Sequence, residues 1–158
     1  MSVTIREARP EDRKVLVQLM GALHEFESAF EENRAGRDAA DSHLAWVEKA
    51  VSELGGVILV AEMGGDVAGF VAYTFEEDPG TFVRPEFRQH ALIWDISVAE
   101  EARGQGIGQA LLRAAEDAAK AAGIREMRLY VLEANTRARR IYEEAGYRNY
   151  ERFLSKRL

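Results

Sequence analysis

The segment Ala102–Ile124, ARGQGIGQALLRAAEDAAKAAGI, decides how this chain folds. Glycines at positions 104, 106 and 108 stand where a long alanine- and leucine-rich helical pattern begins. Glycine inside a helix costs about 1 kcal/mol relative to alanine, so three in one first turn need a reason of their own. Residues 91–98, ALIWDISV, read as a strand leading into them. A strand that feeds glycines into a helix start presents backbone N–H groups without helical partners at the positive end of the helix dipole, and this is an anion site. Missing Cβ atoms let phosphate oxygens approach those N–H groups, and Arg103 adds a cation at the same edge. Tight turns and close helix–strand packing also use glycine, but alternate glycines behind an arginine favour phosphate.

The residues beside the glycines narrow the type of phosphate site. A P-loop ends in Gly-Lys-Ser/Thr, whereas Gly108 precedes Gln109-Ala110. A Rossmann fingerprint is G-x-G-x-x-G, and this is G-x-G-x-G. Glu133 does lie where a ribose-binding acid would stand, so a Rossmann-type nucleotide-binding protein remains a rival. That unit normally opens its fold, however, and here four strands come first.

Working outward, VTIREA (3–8) alternates as a short strand and RPED starts a helix over about residues 11–27, with Leu16, Leu19, Met20, Leu23 and Phe26 on one side. Leu44, Val47, Val51 and Leu54 stripe a second helix that stops before Gly55-Gly56. GVILVAEM and VAGFVAYTF flank Gly64-Gly65-Asp66, a hairpin signal. EEDPGTFVRPEFRQH (76–90) reads as a polar loop. After the glycine-led helix, Glu126–Glu133 reads as a strand, NTRARRIYEEAG as a short helix, and YRNYERFLSKRL as a terminal strand. The order is β-α-α-β-β-β-α-β-α-β, a mixed α/β chain of one domain, residues 1–158, without repeats or linkers. The right-handed crossover through the glycine-led helix makes strands 91–98 and 126–133 parallel.

Composition restricts the function. With 47% hydrophobic and 30% charged residues the chain is an ordinary globular protein. It has no apolar run of membrane-spanning length and no apolar signal core, and its lack of cysteine is compatible with a cytoplasmic location. Cysteine absence also excludes disulfides, thiolate nucleophiles and thiolate metal sites, and the three histidines (His24, His43, His90) show no ligand spacing, so no metal is expected. A net charge of −6 argues against a nucleic-acid partner.

Two motifs together carry a family resemblance. VAEEARGQGIGQALL resembles the acetyl-CoA-binding motif of the GNAT superfamily of N-acetyltransferases, R/Q-x-x-G-x-G/A after the fourth strand, through Arg103, Gly106 and Gly108. NTRARRIYEEAGY is similar to the family signature N-x-x-A-x-x-x-Y-x-x-x-G-F/Y, through Asn135, Ala138, Tyr142, Gly146 and Tyr147. TIREARPED is similar to the usual family opening, so the resemblance spans nearly the whole chain. It implies a GNAT fold: a mixed, mostly antiparallel sheet whose parallel pair splays around acetyl-CoA. It also implies that main-chain groups of Ile96, Ser97 and Val98 run beside the pantetheine, and that Arg103, Gly104, Gln105, Gly106, Ile107, Gly108 and Gln109 hold the pyrophosphate. Asn135 would touch the cofactor arm, and Tyr142 would protonate the departing thiolate. A tyrosine of pKa about 10 stays protonated at neutral pH and suits that task.

The base and the acceptor are less marked. Asp95 is the carboxylate expected to take the amine's proton, directly or through water, but the bulge that the resemblance implies in this strand makes its face unreadable from sequence. His90 is the alternative, and as a residue at the loop end it also reads as simply exposed. Glu27 and Glu31, with Glu25 and Glu32 around Phe26 and Phe30, would suit a cationic amine, although a solvated helix face has the same pattern. Arg139–Glu143 and Arg140–Glu144 read as i,i+4 surface pairs. Eleven residues after Tyr147 make one strand rather than the family's terminal hairpin, which leaves a sheet edge that a homodimer would cover. The expected activity is acetyl transfer from acetyl-CoA to an amine, with a non-catalytic acyl-CoA-binding module as the alternative.

Overall fold

The computed structural model describes residues 2–158. Strands β1 (Val3–Glu7), β2 (Val57–Met63), β3 (Asp66–Glu77), β4 (Gln89–Val98) and β5 (Met127–Leu129) lie side by side in that order in one sheet. Neighbours from β1 to β4 are antiparallel, and β4 and β5 are parallel. Gly64 and Gly65, both at positive φ, close the β2–β3 hairpin as its turn chemistry requires.

The helices are α1 (Arg13–Ser28), α2 (Ala40–Leu54), α3 (Ile107–Ala121) and α4 (Thr136–Glu144). Period-2 alternation on β3 sorts the core into two layers. Phe70 and Ala72 face Leu16, Leu19 and Met20 of α1 and Leu44 and Val47 of α2. Val71 and Tyr73 face Ile107, Leu111, Leu112 and Ala115 of α3. Each such large side chain contributes roughly 1.5–3 kcal/mol by leaving water, so β3, buried on both faces, is the keel of the domain.

One irregularity in β4 positions the site. Tyr73 pairs with Ile93 and Ala72 with Asp95, so Trp94 is an extra, unpaired residue in β4. This β-bulge breaks the alternation. Trp94 turns to the α1/α2 layer, where its indole Nε1 donates to Thr74 Oγ1 at 2.8 Å, and Asp95 turns to the same layer, toward His43. Ile96 and Val98 then point to the α3 layer, and Ser97 back to α1.

Two expected strands differ. β5 is three residues, not eight: its pairing stops at Ile93–Leu129, because β4 bulges at the next residue and the two strands part. Residues 147–158 form no strand. The alternating pattern there has no adjoining edge of useful length, since β5 is so short, and Tyr150, Phe153 and Leu154 stay exposed. The segment is held by the Arg128 guanidinium over the Tyr150 ring and by an Arg157–Glu32 ion pair.

Candidate active site

Where β4 and β5 diverge they open a cleft of about 370 Å³, within the range of small-molecule sites. Past Ile93, β4 has no partner on its β5 side, so one row of main-chain groups from Asp95 to Val98 faces the cleft. The floor is the start of α3. Its first internal hydrogen bond runs from the Ala110 N–H to the Gly106 carbonyl, and among the described residues no side chain caps the earlier N–H groups. Residues 107–109 therefore offer unpaired donors at a helix N-terminus.

The three glycines have two different reasons. Gly104 and Gly106 sit at φ +78° and +79°, the left-handed region that lets the chain turn from β4 into α3. Gly108 is already helical, and a Cβ there would meet only the Val98 side chain, at 3.8 Å. Its bareness keeps the floor open. Arg103 arches over this end: its Nε donates to the Val98 carbonyl at 3.3 Å, and its guanidinium lies 5.9 Å from the Phe26 ring centre on α1.

The opposite wall is α4. Asn135 caps it, its side-chain oxygen accepting from the Ala138 N–H at 3.1 Å, and the residue also lines the cleft. Further along α4, Tyr142 reaches the cleft with its ring edge-on to Tyr147, 5.9 Å away. Burial, reinforced by the negative charge of Glu27, pushes its phenol up to about 12. Arg137 lines the same wall.

Toward α1 and α2 the cleft is lined by Asp95 and Glu27. Asp95 is 9% exposed by side chain, and burial, helped by Glu27, pushes its carboxyl up to about 7. Its Oδ2 is buried with no hydrogen-bond partner among the described residues. His43 of α2 is its nearest basic neighbour, Nε2 to Oδ2 3.4 Å, and burial holds that imidazole below its ordinary value.

The structure thus gathers around one cleft Asp95, Glu27, Asn135, Tyr142, the strand Ile96–Val98 and the loop residues Arg103, Gly104, Gly106, Ile107, Gly108 and Gln109. Three expected residues stand apart. Gln105 turns outward, its amide donating to the Glu101 carbonyl at 3.4 Å, so only its main chain adjoins the loop. Glu31 lies past the end of α1, off the cleft, while Glu25 is taken by Arg37 at 2.6 Å and Glu32 by Arg157, leaving Glu27 as the cleft carboxylate of that group. His90 is neither exposed nor in the cleft: it is buried within β4, its Nδ1 donating to the Arg88 carbonyl. Ser97 faces the cleft through its main chain, because its hydroxyl donates to the Leu19 carbonyl at 3.2 Å. Arg140 pairs with Glu144 as expected, but Arg139 reaches Glu133 rather than Glu143.

Sequence reasoning did not single out His24, His43 or Trp94 for this site. His24 and His43 lie nineteen residues apart on two different helices, a separation with no periodic signal. The bulge that turns Trp94 and Asp95 to one face is a property of the β3–β4 pairing and not of β4 alone.

A glycine-led, uncapped helix start beneath a splayed parallel pair defines the class of α/β fold to which the chain conforms. Comparison with known proteins agrees: the acetyltransferase (GNAT) family profile matches residues 20–147. The uncharacterized N-acetyltransferase YhfO of Bacillus subtilis is 28% identical over 145 residues, which cover 92% of this chain and 89% of YhfO. The uncharacterized N-acetyltransferase YycN of the same organism is 37% identical over 71 residues, covering 45% of this chain and 46% of YycN, so the chain spans less than half of that relative. A solved structure from Pyrococcus furiosus, described as an acetyl transferase candidate, superposes with a TM-score of 0.77 at 28% identity, over 99% of this chain and 100% of that one. The chain belongs to the GNAT acetyltransferase family.

Proposed function

We propose that the protein is an N-acetyltransferase moving the acetyl group of acetyl-CoA to a primary amine, of a small molecule or a protein N-terminus, by direct transfer in a ternary complex. The observation that carries this reading is the pair Asp95 and Tyr142, on the two walls of one cleft, where burial raises the carboxyl to about 7, close to neutrality, and keeps the phenol protonated at about 12. Two such groups are what acid and base roles require.

The chain's residues suit each step. The unpaired N–H groups of residues 107–109 and the Arg103 guanidinium suit the pyrophosphate, and the free edge of β4 suits the pantetheine amides. An amine enters as an ammonium ion, which Glu27 and Asp95 attract. Asp95 takes one ammonium proton, leaving the nitrogen its electron pair to attack the thioester carbonyl. A main-chain N–H at Val98 or beside it stabilises the oxyanion. Collapse breaks the C–S bond, the sulfur leaves with that electron pair, and Tyr142 gives it a proton. The nitrogen's second proton restores the Tyr142 phenol and the one held by Asp95 goes to solvent, so one proton is released per turnover. Tyr142 suits donation because burial keeps it protonated.

The exposed apolar segment from Tyr150 to Leu154 supports a homodimer that covers it, and light scattering reads that directly. A cytoplasmic location accords with the cysteine-free sequence.

The test is thermal stability with acetyl-CoA, coenzyme A and NAD, followed by amine-dependent thiol release over a panel of amines. Ligand at 100 times its dissociation constant adds about 2.7 kcal/mol to stability. Stabilisation by both coenzyme A forms with amine-dependent thiol release supports the proposal. Stabilisation without thiol release makes this an acyl-CoA-binding module, and stabilisation by NAD alone makes it a nucleotide-binding protein.

A further inference from the structure

Three titratable side chains on three elements form a chain that ends in the cleft. His24 Nδ1 of α1 lies 3.0 Å from the Gly36 carbonyl oxygen, and His24 Nε2 lies 2.5 Å from His43 Nδ1 of α2. His43 Nε2 lies 3.4 Å from Asp95 Oδ2 of β4. The first link sets the direction of all the others. A carbonyl oxygen only accepts, so His24 Nδ1 carries the ring's proton. A neutral imidazole has one N–H, so His24 Nε2 accepts and His43 Nδ1 donates. His43 Nε2 is then bare, and its lone pair faces the oxygen of Asp95 that has no hydrogen-bond partner among the described residues. Two acceptors confront each other across 3.4 Å, and one added proton turns that repulsion into a hydrogen bond.

We propose that Asp95 and His43 form a single proton-accepting couple, and that His24 and the Gly36 carbonyl are positioning groups that hold His43 in the Nδ1–H tautomer. The proposal rests on the acetyl-transfer reading and extends its base from one residue to four groups. In the step it serves, an ammonium N–H bond breaks, the nitrogen keeps the electron pair, and the proton joins Asp95 and is shared with His43 Nε2. The couple returns it to solvent as product leaves.

The surroundings say on which side the proton rests. Asp95 is faced by Glu27 from α1 and by His43 from α2, and the Glu27 charge favours a proton on Asp95. His43 is faced by His24 from α1, Arg34 from the α1–α2 loop, Trp46 on its own helix and Asp95 on β4. Burial, and then the charge of Arg34, oppose a second proton on His43. Protonated Asp95 donating to neutral His43 is therefore the loaded form of the couple, and bare Asp95 is the form that accepts from substrate.

The experiment uses the full chain labelled with ¹⁵N, and long-range ¹H–¹⁵N correlation of the imidazoles at pH 8.5, with His43 assigned through the signals lost in His43→Gln. The expected result is Nδ1 protonated and Nε2 bare at His43. A proton on Nε2, or rapid averaging between the two tautomers, overturns the proposal without reference to any activity. The second arm is His24→Leu, which removes the acceptor and frees His43 to carry its proton on Nε2 and donate it to the Asp95 carboxylate. A hydrogen bond to the charged form lowers that carboxyl's pKa. The acid limb of the kcat/KM profile for acetyl transfer then moves to lower pH by about one unit, so that one unit below the wild-type limb the variant retains about fivefold more of its own plateau than the wild type does of its own. His24→Gln, which restores an accepting carbonyl, keeps the wild-type limb. An unmoved limb in His24→Leu overturns the positioning role. Should no amine be acetylated, a ¹³C carboxyl titration of Asp95 reads the same displacement, so failure of the acetyl-transfer reading and failure of this one give different results.

Discussion

Asp95→Asn separates what the cleft does for stability from what it does for chemistry. The folded protein holds the Asp95 carboxyl at about 7, because burial and Glu27 disfavour its charge, against 3.8 for an unstrained aspartate. The sign follows from linkage. Between those two values the folded state binds more protons than the unfolded one, so stability falls as pH rises, the reverse of an ion-paired aspartate. Three units at about 1.4 kcal/mol each give a cost of about 4 kcal/mol, complete above pH 7 and gone below pH 4. The side chain is only 9% exposed, so solvent screens little of this. The substituted asparagine carries no charge to bury, and its amide can donate to the bare His43 Nε2 as a protonated Asp95 would. The variant is therefore expected to exceed the wild type by about 4 kcal/mol at pH 8.5 and by about 1 kcal/mol at pH 4.5. At roughly 2–4 °C per kcal/mol, that is a gain in Tm of order 10 °C at pH 8.5. Scanning calorimetry of both proteins at pH 4.5, 6.5 and 8.5 measures it, and amine-dependent thiol release should fall at least a hundredfold in kcat/KM. A gap equal at pH 4.5 and 8.5 would refute the claim that Asp95 is charged at a cost. A gap that widens with pH while activity survives would leave the buried charge in place and remove Asp95 as the base.

Two further substitutions probe the other wall and the floor. Tyr142→Phe leaves the ring packed on Tyr147 and removes a hydroxyl that no side chain bonds among the described residues, so Tm should change by under about 2 °C while kcat falls on the order of a hundredfold and acetyl-CoA affinity stays within about threefold. Unchanged kcat, by thiol release and by titration calorimetry on the same sample, would remove it as the acid. Gly106→Ala and Gly108→Ala should move Tm in opposite directions: alanine at φ +79° costs about 1–2 kcal/mol, whereas at the helical position 108 it gains about 0.5–1 kcal/mol with only Val98 to touch. Equal effects in a thermal melt would mean that the two glycines share one structural reason.

Much of this architecture was legible because local rules and tertiary packing agree. The GG turn, the glycine-led α3 and the amphipathic α1 and α2 each form where period and turn chemistry place them. The glycine-led helix start was legible for the same reason, since it needs no distant partner to expose its N–H groups. What did not read out depends on pairing across distance. The alternation of residues 147–158 is that of a strand, but a strand exists only against an edge, and three-residue β5 offers almost none. His90 reads as an accessible loop histidine because EEDPGTFVRPEFRQH is polar, yet β4 begins at Gln89 and draws it inside. Glu31 shares the composition of Glu27 but falls beyond the last turn of α1.

The bulge at Trp94 connects these failures to the site. Without it, Ile93 and Asp95 would share a face by simple alternation, and Asp95 would point into the α3 layer among Leu111 and Val71. One extra residue sends Asp95 to the α1/α2 layer instead, within 3.4 Å of His43. The same residue ends the pairing with β5 at Ile93, so the strand that turns the carboxylate also opens the cleft beside it. The bulge is itself secured by the Trp94 indole bond to buried Thr74 and by the edge-on packing of Trp94 against Trp46, 4.7 Å between ring centres. Cleft and buried carboxylate are thus two outcomes of a single local insertion, and a change that restored regular pairing at Trp94 would abolish both together.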